Sequence, residues 1–159
     1  MERTTKMVGA AGQHYVMYEL LRRGFIAALT PEGVPNVDIL VSDIVGGHMA
    51  SIQVKTASAP RPTWPVGTKQ EKVESDRLFY CFVMPTDKHM SSPQCWVIPS
   101  AVVAEHVRIS HLAWLSGTPK RGLSRNDSDR RAMHKSCAPL AEYSPGWLDK
   151  YEGAWDQLR

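Results

Sequence analysis

The sequence predicts an α/β domain. Three observations carry that prediction: a helix-period stripe near the start of the chain, two strand-period runs around a Gly-Gly turn, and a seven-residue apolar run, Leu78 to Met84, followed by a shorter one, Cys95 to Ile98.

The elements follow in order. Residues 5–23 read as a helix, with Val8, Ala11, Tyr15 and Tyr18 as the apolar stripe and Leu20 and Leu21 widening it. Arg22 and Arg23 suit the negative end of the helix dipole, and Gly24 is a left-handed stop. Phe25 to Leu29 is a short strand closed by the turn sequence Thr30-Pro31-Glu32-Gly33. Asn36 to Ser42 and His48 to Thr56 alternate as strands do, and Gly46-Gly47 between them predicts a β-hairpin. Residues 57–75 hold Pro60, Pro62 and Pro65 and read as an exposed loop. Leu78 to Met84 and Cys95 to Ile98 are buried strands, and Pro99-Ser100 opens a helix from Ala101 to about His106. Residues 117–139 set six basic side chains against two acidic ones and read as a basic loop; 147–158 reads as a terminal helix with Trp147, Leu148, Tyr151 and Trp155 on one stripe.

With 159 residues, 43% apolar and 22% charged, the chain fits one domain over 1–159, with a core at about 5–107. The net charge of +3 permits a nucleic-acid partner without demanding one. Three cysteines without a CxxC pair argue against a zinc cluster or a disulfide framework. No HExxH pair, no GxSxG elbow and no phosphate loop is present. The longest apolar run, seven residues, is far short of the roughly 20 a spanning helix needs. Met1 to Lys6 lacks a secretory pattern, so a cytoplasmic protein with no membrane partner is the expectation.

The chemistry gathers on the hairpin. Gln53 and Lys55 are two apart and share a strand face. Pairing about Gly46-Gly47 would set Asp38 directly opposite Lys55, with about 4.5–5.5 Å between Cβ atoms, and Gln53 on the diagonal. A carboxylate, an amide and an ammonium then converge on one patch. The bland reading is a semi-buried Asp38–Lys55 ion pair across a hairpin. Buried charge costs several kcal/mol unless partnered, so a stability-only patch would more simply be apolar.

An Asp, a hairpin and then Gln53-Val54-Lys55 resemble the motif of the PD-(D/E)xK nuclease superfamily. The small prokaryotic members look most similar, through Gly9-Ala10-Ala11-Gly12, Val37-Asp38-Ile39-Leu40, Ile52-Gln53-Val54-Lys55-Thr56 and Leu78-Phe79-Tyr80-Cys81-Phe82-Val83. The resemblance spans roughly residues 8–100. It implies an αβββαβ core with a mixed central sheet flanked by helices, and hydrolysis of DNA phosphodiesters with Mg²⁺ or Mn²⁺. Asp38, Gln53 and the Val54 carbonyl would hold the metal, Lys55 would position the attacking water or stabilise charge, and Gln13 would orient the site. Many members cut both strands as dimers, so a homodimer belongs to the expectation. The sequence departs from the pattern at position 53, which is Gln where the motif has an acid, and at Gln13, where a Glu is common. Glu19 lies about 120° round the helix from Gln13 and could replace a missing acid only in another register. An inactive member that binds nucleic acid or a protein is the alternative.

Outside the motif, Arg61, Lys69, Lys72, Lys120, Arg121, Arg125, Arg130 and Arg131 could meet phosphates, and Trp64 could stack on a base. Against this, the basic stretch could be a solvated loop and Trp64 a packing anchor.

Overall fold

The computed structural model describes residues 4–47, 49–58, 63–86, 91–118, 125–138 and 140–159. Helix α1 (Thr5–Leu21) is capped by Thr4, whose side chain accepts from the Met7 N–H, and the turn that follows it closes at Gly24, which adopts φ +84°. Strands β1 (Ile26–Leu29), β2 (Ile39–Ser42) and β3 (Met49–Thr56) form an antiparallel meander. A crossover then carries β4 (Thr63–Gly67) and a 3₁₀ turn (Thr68–Glu71) before β5 (Leu78–Met84), which lies parallel to β3. Strand β6 (Gln94–Pro99) pairs antiparallel with β5, and α2 (Ser100–Ser116) follows. The central sheet is therefore mixed, in the order β1-β2-β3-β5-β6. Strand β7 (Arg130–His134) pairs with β4 in a second, two-stranded sheet.

Strand alternation divides the core into two layers. Phe79, Cys81 and Val83 of β5 join Val16 and Leu20 of α1, Ile52 and Val54 of β3, and the C-terminal Trp155 and Leu158. Tyr80 and Phe82 turn the other way, onto Val103 and Val107 of α2, Trp64 of β4 and Met133 of β7. Gln53 and Lys55, out of phase with Ile52 and Val54, belong to this second side. The α/β class with a mixed sheet flanked by helices is the one expected. Where the αβββαβ pattern places a helix, between β3 and β5, the chain carries β4 and the 3₁₀ turn.

Five expectations change in detail. The buried stripe of α1 is Gly12, Val16, Glu19 and Leu20, while Tyr18 is exposed. The helix sits on its smallest residue: a Cβ on Gly12 would lie 1.8 Å from Thr56 Oγ1. The hairpin slips by two residues, with Val41 opposite Ala50 instead of residue 52. The Asp43 carboxylate accepts the N–H groups of Val45 and Gly47, which centres the turn one residue earlier than Gly46-Gly47. A slip of two preserves which face every side chain takes. The expected loops at 57–75 and 117–139 contribute β4 and β7 to each other, and a two-stranded sheet tolerates Pro65 because each strand uses one edge.

Helix α2 runs ten residues past His106, because Val107 and Ser110 continue the buried face. The terminal segment is no helix. Gly146 (φ +96°) and Gly153 (φ +61°) divide it into 3₁₀ turns at Ala141–Tyr143, Asp149–Tyr151 and Trp155–Leu158. The Gly153 N–H goes to the Cys95 carbonyl of β6 at 2.9 Å, where a helix would have kept it internal. Among the described residues no helix is long and apolar enough to cross a membrane.

Candidate active site

Asp38 stands just before β2, where the chain leaves the ladder. Asn36 takes φ +63°, a left-handed turn that Asn tolerates better than most residues, and aims the following residues into the sheet. Thr30 then clamps them: its N–H donates to the Asp38 carbonyl at 2.9 Å and its hydroxyl to the Val37 carbonyl at 2.7 Å. The Asp38 N–H donates to Ile52 O at 2.8 Å. The carboxylate is thereby free to reach sideways. Oδ2 accepts the Val54 N–H at 2.7 Å, and Oδ1 accepts Gln13 Nε2 at 3.0 Å. Gln13 comes within reach because α1 approaches β3 at Gly12. A strand residue's N–H and C=O point to the same neighbour, so the Val54 carbonyl also faces past the end of β2, on the Asp38 side.

Lys55 is half-buried, and among the described residues it makes no ion pair. Burial holds its pKa below the ordinary lysine value, and the nearby Asp38 charge partly opposes that. The Asp38–Lys55 ion pair of the bland reading is therefore not formed. The hairpin slip explains this, because Asp38 is not set opposite Lys55 and spends its oxygens on Val54 and Gln13.

Gln53 is 8% exposed, and its Oε1 accepts from Gln70 Nε2 at 3.4 Å. Gln70, which sequence reasoning did not single out, sits in the 3₁₀ turn, where its Oε1 accepts the Gly67 N–H at 2.9 Å. The spacing of Gly67 and Gln70, that of a helix cap and its third residue, was the available signal. Glu19 does not supply a second acid: its carboxylate is ion-paired with Arg22, at 3.1 Å, and with Arg23. Among the described residues no three His, Cys, Asp or Glu side chains cluster as a metal site. The donor set is one carboxylate with neutral oxygens beside it. Such a set suits Mg²⁺, which keeps several waters and uses one or two carboxylates.

The outlying candidates separate. Trp64 is 0% exposed, packs on Phe82 and Trp96, and donates from Nε1 to the Val83 carbonyl at 2.9 Å, so it is a core residue and not a stacking platform. The Arg131 side chain is 6% exposed and ion-paired with Glu71 and Asp127, which withdraws it from phosphate contact. Arg125 donates to the Trp114 carbonyl and lies 5.0 Å over the Trp114 ring. Arg130, Lys69 and Lys72 are exposed. Arg125 and Arg130 line a groove of about 770 Å³ between the end of α2 and β7. Arg61, Lys120 and Arg121 lie outside the described residues.

No family model matches the chain, and none of the curated proteins does. Solved structures do match. A bacterial homing endonuclease, I-Ssp6803I, is similar with a TM-score of 0.51 and 16% identity, over 98% of this chain and 91% of that one. The Holliday junction resolvase Hjc of the archaeal hyperthermophile Archaeoglobus fulgidus aligns with a TM-score of 0.41 and 14% identity, over 80% of this chain and 91% of its own. The first likeness shows that this chain has the fold of a nuclease.

Proposed function

We propose that this chain is a divalent-metal-dependent endonuclease that hydrolyses DNA phosphodiesters at Asp38 and Lys55. The observation that carries the reading is Lys55: a half-buried ammonium beside a carboxylate, without an ion pair. Its Nζ is not among the sealed unpaired atoms, so an incoming anion can reach it. A perturbed, unpaired charge is the mark of a site that awaits an anionic partner. The homing endonuclease of the same fold is, by its name, a nuclease, which supports the choice of substrate class.

Asp38 and the Val54 carbonyl would hold Mg²⁺ or Mn²⁺. When bound, the ion supplies Lewis acidity toward a phosphoryl oxygen and lowers the pKa of water. Lys55 places positive charge where negative charge grows in the transition state, at low local dielectric, where one interaction has the most effect. Gln13 fixes the Asp38 carboxylate through Oδ1. Gln53 contributes its neutral amide.

The single acid favours a second reading, a catalytically silent nucleic-acid-binding member of the fold. One experiment separates the two: supercoiled plasmid and a branched DNA incubated with Mg²⁺ or Mn²⁺ and wild type, Asp38→Asn or Lys55→Ala. Metal-dependent nicking by wild type alone is the expected result. Folded wild type that binds both DNAs and cuts neither would establish the second reading instead.

A further inference from the structure

Gln53 and Gln70 are both buried, at 8% and 6% exposure, and their contacts orient them in sequence. An amide is normally uncertain by a half-turn that exchanges its oxygen and nitrogen. Here a backbone group decides. The Gly67 N–H can only donate, so the atom of Gln70 that meets it at 2.9 Å is the oxygen. The other end of Gln70 is then NH₂, which can only donate, so the atom of Gln53 that meets it at 3.4 Å is also an oxygen. The Gln53 NH₂ is left pointing elsewhere. Among the described residues it has no hydrogen-bond partner, and unlike Thr56 Oγ1 it is not a sealed, unpaired atom. Gln13 is fixed the opposite way, because it spends a donor on the Asp38 carboxylate.

We propose that Gln70 is a positioning residue that holds Gln53 with its oxygen turned inward and its NH₂ on the sheet face shared with Lys55, where it donates a hydrogen bond to a phosphate oxygen of the nucleic-acid backbone. This rests on the nuclease reading for its substrate class. Gln53 is then not an oxygen ligand of the cation, and that role falls to Asp38 and the Val54 carbonyl. It also gives a reason for Gln at position 53: a carboxylate there has no proton to donate and would repel the phosphate.

The test uses Gln70→Glu and Gln70→Met. Glu keeps an acceptor for Gly67 but, at about pH 8.5, above the usual carboxylate range, cannot donate to Gln53, which must turn its NH₂ inward. Met removes both contacts and reports the structural part alone. Full-length protein labelled with ¹⁵N at glutamine side chains is titrated with Mg²⁺ alone and, separately, with a short duplex DNA without divalent metal. In wild type, DNA should shift the Gln53 NH₂ signals and Mg²⁺ alone should leave them in place. Gln70→Glu should lose the DNA response, and its cleavage turnover should fall about tenfold or more, the scale of one hydrogen bond to a charged group, at unchanged half-saturating metal. A Gln53 response to Mg²⁺ alone, a wild-type-like Gln70→Glu, or no response to DNA in folded wild type overturns the proposal. DNA that shifts Gln53 but is never cut leaves the proposal standing and sinks catalysis, so the two failures are distinct.

Discussion

Asp38 Oδ2 accepts the Val54 N–H at 2.7 Å, a place on the β3 edge that strand backbone would otherwise fill. The other oxygen takes Gln13, so one carboxylate ties α1 to β3. The proposed catalytic role and the structural one are separable at this residue. Asp38→Asn keeps an acceptor for Val54 and, with Gln13 turned over, satisfies both partners; it should unfold within about 1 kcal/mol of wild type. Asp38→Ala leaves two donors unpaired and should cost about 1–3 kcal/mol. Both should abolish cleavage. Urea unfolding monitored by tryptophan fluorescence checks the pair, and equal losses from Asn and Ala would contradict the hydrogen-bond account.

Two glycines of the same helix should respond in opposite directions. A Cβ on Gly12 would meet Thr56 Oγ1 at 1.8 Å, whereas one on Gly9 meets nothing within 4 Å. Gly12→Ala forces α1 away from β3 and should cost about 1–3 kcal/mol, the range of overpacking, while weakening the reach of Gln13 to Asp38. Gly9→Ala should instead stabilise by about 0.5–1 kcal/mol through helix propensity. Thermal melts of the two variants side by side decide it.

His106 makes stability depend on pH. The ring is fully buried, stacked 4.9 Å from Trp147 and edge-on to Tyr143 at 4.3 Å. Its Nε2 accepts the His134 N–H at 3.1 Å. Burial first, and His134 second, push its pKa from 6.5 down to about 3. Between those values the unfolded chain binds a proton that the folded one refuses. The contribution is complete above 6.5 and is lost as pH falls toward 3. The loss should be about 2 kcal/mol by about pH 5, with His134, also lowered by burial, adding in the same direction. Urea midpoints at about pH 7.5 and pH 5 should differ in wild type and differ less in His106→Gln, which keeps an acceptor and does not titrate, the remainder being the share of His134.

Neighbouring arginines should separate by role. Arg130 is exposed at the groove, while Arg131 is held by Glu71. Arg130→Ala should lower the salt dependence of DNA binding by about one phosphate contact without changing the melting temperature. Arg131→Met should lower the melting temperature and leave the salt slope of the folded protein unchanged. A shared effect on both readouts would show that the ion pair does not govern access.

What the sequence made legible was whatever depends on neighbours in the chain. Leu78 to Met84 is apolar throughout and is β5 at those bounds. Gly24 takes the left-handed turn just past α1, as its backbone freedom suggests. The face shared by Gln53 and Lys55 survived the hairpin slip because strand faces repeat every two residues. What stayed hidden depends on distant partners. Asp43 moved the turn with a side chain that a Gly-Gly pattern outweighs. Trp64 as a packing anchor among prolines was legible, but its partner, the Val83 carbonyl that takes its indole N–H, was not. Gly153 gave its N–H to Cys95, which no periodicity in the terminal stripe could reveal. Gln70 acquires meaning only when its turn is folded over β3.

The ion pair between Glu71 and Arg131 joins residues sixty positions apart. Glu71 closes the turn that carries Gln70, and Arg131 belongs to the strand that pairs with β4. On a ribosome, Asp38, Gln53 and Lys55 emerge long before Arg131 does. The fastening of Gln70 over Gln53 thus waits for the last third of the chain. A growing polypeptide carries the side chains of the proposed site early but gains the Glu71–Arg131 tie only late in synthesis, so the order of translation itself delays the assembly of that site.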